Sequence, residues 1–392
     1  MRLKLFDDMD RNNEGPRGYT EPQYYYLNQS ARLSFERMRK AIEEWFSRYP
    51  IKNQLDLYKR FRSTNDLQHQ SAFFELFLHE LLVRMGCKIL VHPKANNIKE
   101  KHPDFLVKSS KGESFYLEAV SASNESKEDY GARMRMNSVY DSINKLNSPN
   151  FFIGLNLNGY PKTAPPGVEI RSFLTKKLAM LDADEIYSLY IAGGIEGLPH
   201  WHFQYGGWKI DFFPIPKSQA SRGKSGVRPI GMLFFGFHVV ESVIAIRQAL
   251  VRKAKRYGNI DLPYIIAINV LDYDANRIDF LEALFGSEQF IIGVSSNGSV
   301  GEPRMTRKPN GLWNSTAAPR YTRVSAVLFA EQIMPWSLTR ASICLYHNPW
   351  AKKKYSSVLT RLPQAIPKEE MEWHQGETVG AILDLSRQWP EG

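Results

Sequence analysis

The chain has 392 residues and a formal net charge of +10, with 43% hydrophobic and 12% aromatic residues. That composition excludes a disordered or low-complexity protein and supplies a large core, in two domains or one large one. Two cysteines, Cys87 and Cys344, exclude a disulfide framework and a thiolate zinc site, and the excess of Lys and Arg is a mild bias towards polyanions.

The start "MRLKLFDDMD" lacks the apolar stretch of a signal peptide, and the longest apolar run, "IGMLFFGFHVV", is too short to span a bilayer. A cytoplasmic protein with no membrane role is the expectation. After a tyrosine-rich opening, Leu33, Met38, Ile42, Trp45 and Phe46 fall on one helical face, and Pro50 stops that helix. "SAFFELFLHELLVRMG" predicts a second helix, with Ser71 as its N-cap and Gly86 as its end. Three short strands follow: "CKILVHP", "PDFLVK" and "SFYLEAV". Met136, Val139, Ile143 and Leu146 have helical spacing, and "FFIGLNL" reads as a buried strand. The helix between the last two strands allows them to lie parallel.

Beyond the Pro-rich "GYPKTAPPG" the alternation resumes. "IRSFLTKKLAML" is helical, and "HWHFQYGGWKIDFFPIPK" is a hairpin about Gly206-Gly207. A basic loop, the strand "IGMLFFGFHV", the helix "ESVIAIRQALVRKAKRYG" and the buried strand "PYIIAINVL" come next, then a short helix, "RIDFLEALFG". "RVSAVLFA" and "RASICLYH" are two further strands, and the signal past Pro349 is weak.

Several tempting motifs fail. "RGKS" at 222–225 lacks the earlier glycine and the following helix of a phosphate loop, and "HELLV" lacks the second histidine of a zinc-protease helix. His200 and His202 alternate with Trp201, but without a third ligand nearby they read as surface histidines.

The acids in "HPDFLVKSSKGESFYLEAV" carry more weight. Asp104 and Glu118 lie on adjacent strands and share a face if those strands pair in the right register. Two converging carboxylates repel unless a cation lies between them, and hard oxygen donors suit magnesium. The competing account is that both acids face water. On the upstream helix, Glu75 projects beside Leu82 at the edge of the apolar stripe, while Glu80 points well away from it.

From 71 to 158 this order of elements resembles the PD-(D/E)XK nuclease superfamily, with its restriction-endonuclease-like fold. Glu75 stands at the accessory acid, "HPDF" at the Pro-Asp strand and "YLEA" at the strand of the second acid. The resemblance implies magnesium- or manganese-dependent phosphodiester hydrolysis, with Asp104 and Glu118 holding the metal and Glu75 assisting. The family's lysine belongs two residues after Glu118, where this chain has Val120. Some members supply it from the next helix, which makes Lys145 a candidate and Lys127 and Arg135 its rivals, although Lys145 faces away from the apolar stripe.

The expected architecture is α/β, a mixed-sheet nuclease-like core flanked by helices. It has a helical N-terminal arm at 1–70, the core at 71–158 and an α/β elaboration at 159–392. Arg247, Arg252, Lys253, Lys255 and Arg256 on one amphipathic helix, with the loops "SRGKSGVR", "PRMTRKPNGLW" and "WAKKKY", suit contacts to phosphate or an ordinary solvated surface. The leading expectation is a DNA nuclease of bacterial defence or restriction, acting with partner proteins or as a homo-oligomer. The alternatives are a catalytically silent nuclease fold that binds nucleic acid, and a metal-free structural subunit.

Overall fold

A computed structural model describes residues 3–93, 102–123, 125–159, 161–224, 228–235, 242–258, 260–272, 274–293, 300–314 and 318–391. The first half comprises α1 (Gln23–Gln29), α2 (Leu33–Arg48), α3 (Ile51–Phe61), α4 (Asp66–Arg84), β1 (Lys88–Val91), β2 (Phe105–Lys108), β3 (Ser114–Ala122), α5 (Lys127–Ile143) and β4 (Phe151–Asn158). Then come α6 (Gly167–Leu178), α7 (Ala183–Gly193), β5 (Trp201–Tyr205), β6 (Trp208–Pro216), β7 (Ile230–Phe235), α8 (Ser242–Ala254), β8 (Tyr264–Val270) and α9 (Arg277–Phe285). The last elements are β9 (Glu288–Ile291), β10 (Arg304–Arg307), β11 (Val324–Glu331), β12 (Ile343–His347), β13 (Gln364–Pro367), β14 (Met371–His374) and α10 (Val379–Ile382).

The chain forms two compact units. Unit 1 contains Met1–Gly15, Pro22–Asn124 and Val240–Gly392, and unit 2 contains Pro16–Glu21 and Glu125–Val239. This division differs from the three consecutive segments expected. The N-terminal helices share one apolar core with α4 and the large sheet, so 1–70 is no separate arm.

Unit 1 is a mixed eight-stranded sheet in the order β1-β2-β3-β8-β11-β12-β13-β14, with helices on both faces. β1, β2 and β3 are antiparallel neighbours, whereas β3-β8 and β8-β11 are parallel. Strands buried on both faces are mostly apolar, and every residue of β8 (YIIAINV) is buried, its one polar side chain, Asn269, being bonded to the Ile333 backbone. Each of its isoleucines contributes on the order of 2 kcal/mol by leaving water.

The strand at 151–158 does not lie beside the strand of Glu118; it pairs with β6 and β7 in unit 2. Both β4 and β8 are apolar strands that follow an amphipathic helix, so local pattern alone cannot tell which one enters the sheet. The helix that precedes the true neighbour is α8, which packs Ile246 and Leu250 onto the face shared by Tyr116, Ile266 and Ile268.

The opposite face is covered by α4. Its N-cap is Asn65, whose side chain accepts from the Gln68 amide, rather than Ser71. Every residue from Ala72 to Leu82 is buried, because α4 also packs on the surrounding N-terminal helices. Glu80, expected to point away from the core, is therefore buried and bound by Arg48 and Arg84. Pro50 ends one helix and opens the next at Ile51, a boundary with two sides where only a stop was expected.

Unit 2 is built on a four-stranded sheet, β5-β6-β4-β7. Its hairpin turns at Gly206 and Gly207, with φ of 53° and 81°, which glycine reaches without strain. Asp211 stands opposite His202 on β6, and its carboxylate lies 2.6 Å from His200 Nδ1 and 3.1 Å from His202 Nδ1. Of the two, His200 is hydrogen-bonded to that acid, while His202 is largely exposed. Residues 225–227 of the basic loop and 236–241 after β7 lie outside the described residues. Among the described residues no helix is long and apolar enough to cross a membrane.

Candidate active site

The β2-β3 register pairs Phe105 with Leu117. Extending it by one residue sets Asp104 opposite Glu118, and directly opposed residues of an antiparallel pair share a face. That is the face covered by α8. Asp104 Oδ2 accepts from the Ala119 amide at 2.7 Å, and the Asp104 carbonyl accepts from the His92 amide at 2.9 Å. These two bonds fix the residue just before β2 begins.

Glu118 is fully buried, so its charge needs compensation. Lys253 Nζ lies 2.6 Å and Arg256 Nη1 2.5 Å from its Oε1. The Tyr257 hydroxyl lies 2.5 Å from Oε2 and 2.7 Å from the His102 carbonyl oxygen. Lys253 is in the last turn of α8, and Arg256 and Tyr257 lie just beyond it. One segment thus delivers two cations and a hydroxyl to an acid far away in the chain. Charge-assisted bonds of this length are the strong ones, and a buried pair broken on one side leaves an expensive charge behind.

Burial and the neighbouring Glu118 carboxylate raise the pKa of Asp104 to about 7, against the pull of Lys253 and the Ala119 amide. Glu75 adds to the rise. It is itself buried on α4, where its carboxylate binds the Tyr49 hydroxyl at 2.6 Å and Arg60 Nη1 at 2.8 Å. Burial and Glu75 hold the Tyr49 phenol well above its ordinary value, so it remains a proton donor. One helical turn on, the His79 ring packs against Tyr49 at a tilt of 59° with centroids 4.9 Å apart, and burial lowers its pKa to about 4.

The acids expected from sequence are thus placed unequally. Asp104 and Glu118 come together on one sheet face, and Glu75 acts on Asp104 through its charge while bonded to Tyr49 and Arg60. Lys145 is exposed and belongs to unit 2, as does Arg135, whose Nε donates to the Pro161 carbonyl at 2.7 Å. The Lys127 side chain lies outside the described residues. Lys253, expected on a solvated surface or against phosphate, instead reaches the buried acid. Arg256, like Lys253, reads from sequence only as a phosphate-contacting or solvated cation, and Tyr257, Tyr49 and Arg60 escaped sequence reasoning as site residues. "KAKRY" did hold a signal, since Lys253, Arg256 and Tyr257 stand at i, i+3 and i+4, the spacing of one helical face.

Among the described residues no group of three or more His, Cys, Asp and Glu side chains is placed to hold a metal ion. Comparison of the chain with family models, with curated proteins and with solved structures yields no match.

Proposed function

We propose that unit 1 is a divalent-metal-dependent nuclease of the restriction-endonuclease-like kind, acting on DNA. The observation that carries this reading is the placement of Asp104 and Glu118 on one face of neighbouring strands, with Lys253 reaching Glu118 from the helix before the next parallel strand. With 125–239 set aside, the order α4-β1-β2-β3-α8-β8 follows the family's helix, three strands, helix, strand. In this reading α8 is the helix that supplies the lysine missing at Val120, and Lys253 rather than Lys145 fills the role.

The donor set fits a hard cation that retains several waters: two carboxylates on a common face, one of them resisting ionisation because it is buried beside the other. Asp104 and Glu118 would hold magnesium or manganese, which when bound polarises a phosphate and acidifies a water. Lys253 would place its positive charge against the oxygens of the scissile phosphate as charge develops on them. Arg256 and Tyr257 orient Glu118. Glu75, bonded to Tyr49 and Arg60, adds negative charge near Asp104 and so favours a cation there. A role in defence or restriction belongs to this proposal only through the resemblance.

A second reading has its own observation. Both oxygens of Glu118 are engaged by Lys253, Arg256 and Tyr257, an arrangement that also suits a catalytically silent fold whose former metal ligand is a structural acid. Cleavage of duplex DNA, single-stranded DNA and RNA with magnesium or manganese separates the two. The nuclease reading expects cutting by the wild type, its abolition in Asp104→Ala with binding retained, and a loss of about a hundredfold or more in Lys253→Ala. A wild type that binds the panel and cuts none of it supports the silent fold.

A further inference from the structure

Unit 1 also carries a concavity that no acid lines. This cavity of about 410 Å³ is bordered by Arg323, Lys352 and Lys353, together with Tyr321, Thr322 and Gly258. Three separate stretches of chain build it: the segment after α8, the turn before β11 and the loop after β12. They are tied to one another by hydrogen bonds to backbone carbonyls. Arg323 Nη1 donates to the carbonyls of Tyr257 and Gly258, and the Lys352 amide donates to the Thr322 carbonyl at 2.8 Å.

Tyr321 holds φ at 49°, a left-handed conformation that non-glycine residues seldom adopt, and the Val324 amide closes the turn on its carbonyl at 2.9 Å. Strain of this kind costs on the order of 1 kcal/mol and persists where the surroundings impose it, often at ligand sites. The electrostatics point the same way. Two lysines and an arginine converge, and among the described residues no carboxylate forms a salt bridge with any of them. Like charges brought together this way favour an anion between them.

The pocket also shares a residue with the acids. The Tyr257 carbonyl anchors Arg323, while the same tyrosine's hydroxyl reaches Glu118. Anything bound there lies one tyrosine away from the acidic pair. The cavity is within the size range of sites that enclose a small organic ligand, so it can accommodate a nucleotide unit rather than a bare ion.

We infer that this pocket takes a phosphodiester of a nucleic-acid strand, flanking the one presented to Asp104 and Glu118, and so sets the register of the strand at the acids. The assignment of the ligand as a strand rests on the nuclease reading; the anion site itself does not. Contacts to non-reacting phosphates position a strand without reading its sequence. The pocket's effect should therefore be the same on unrelated sequences.

The test is binding of oligodeoxynucleotides in calcium, each carrying one neutral methylphosphonate linkage at a successive position. It compares the wild type with Lys352→Gln/Lys353→Gln and with Lys353→Glu. Both lysines are exposed, so these changes leave the core intact, and thermal unfolding checks this. The wild type should lose affinity several-fold when one particular linkage is neutralised, and the variants should be indifferent to that linkage. The slope of log affinity against log salt should fall by about one to two in the double variant. Identical methylphosphonate profiles and salt slopes in all three proteins overturn the inference. Binding of a mononucleoside monophosphate as tightly as of the oligonucleotide overturns the strand assignment in favour of a free nucleotide. The expected binding pattern without cleavage in magnesium upholds the pocket and removes the nuclease reading. Cleavage by the double variant with unchanged kcat and KM upholds the nuclease and removes the pocket.

Discussion

Asp104 and Glu118 stand side by side with opposite solutions to the same problem. Glu118 takes Lys253, Arg256 and Tyr257 as partners in the core, whereas the described partner of the Asp104 carboxylate is a single amide. Asp104 consequently holds its proton to about pH 7 in the folded chain, well above an unfolded aspartate. Between those two values the native state binds more protons than the unfolded one, so this residue's contribution is complete at low pH and is lost as pH rises through 7. Asp104→Asn should remove that slope: the variant gains on the wild type between pH 5 and pH 8 in urea midpoints. Magnesium at pH 8 should restore the wild type and leave Asp104→Asn unmoved, since a bound cation stabilises only the ionised acid. A wild type whose midpoint is flat across this range would contradict the assignment.

At the scale of the element, α8 and the residues just past it are the electrostatic counterpart of β3. Removing both cations in Lys253→Met/Arg256→Met leaves a fully buried carboxylate with a tyrosine hydroxyl alone. The expected cost is about 3–5 kcal/mol in chemical denaturation, with part of it recovered in millimolar magnesium if the acids bind the ion. Equal stability of the double variant and the wild type would mean that Glu118 is protonated in the fold. The acids themselves were legible in the sequence because strand alternation and one register place 104 and 118 on a common face. Their partners were not, because Lys253 lies 135 residues beyond Glu118 and no periodicity crosses that gap. For the same reason "FFIGLNL" stood in for "YIIAINV": both are apolar strands after amphipathic helices, and only long-range pairing distinguishes them. Helix α4 misled in another way, since a helix packed on every side has no polar face from which the direction of Glu80 could be judged.

For the whole molecule, the sheet of unit 1 draws no strand from 125–239. β3 ends at Ala122 and α8 begins at Ser242, and both belong to unit 1's packing. Joining strand to helix by a few residues is ordinary in α/β proteins, and loop closure depends only weakly on loop length. A chain in which a short Gly/Ser linker replaces 125–239 should therefore fold cooperatively. It should keep the helix and strand signals of unit 1 in circular dichroism and retain any magnesium-dependent stabilisation seen in the full protein. The segment 16–21, which belongs to unit 2, loses its partners in that variant. A deletion product that unfolds without a cooperative transition would show that the sheet depends on the inserted unit after all.

The distance along the chain between Glu118 and Lys253 also bears on synthesis. While the ribosome is still making the inserted unit, β1, β2 and β3 are complete but β8 does not exist, so β3 is the open edge of a growing sheet. Open apolar edges pair with whatever strand they meet, and a charge pointing inward from such an edge blocks that pairing. Glu118, unpartnered until α8 emerges, is such a charge. The acid that ends up in the centre of the finished sheet spends the making of the protein as a guard on its edge, relieved only when the right helix and strand arrive.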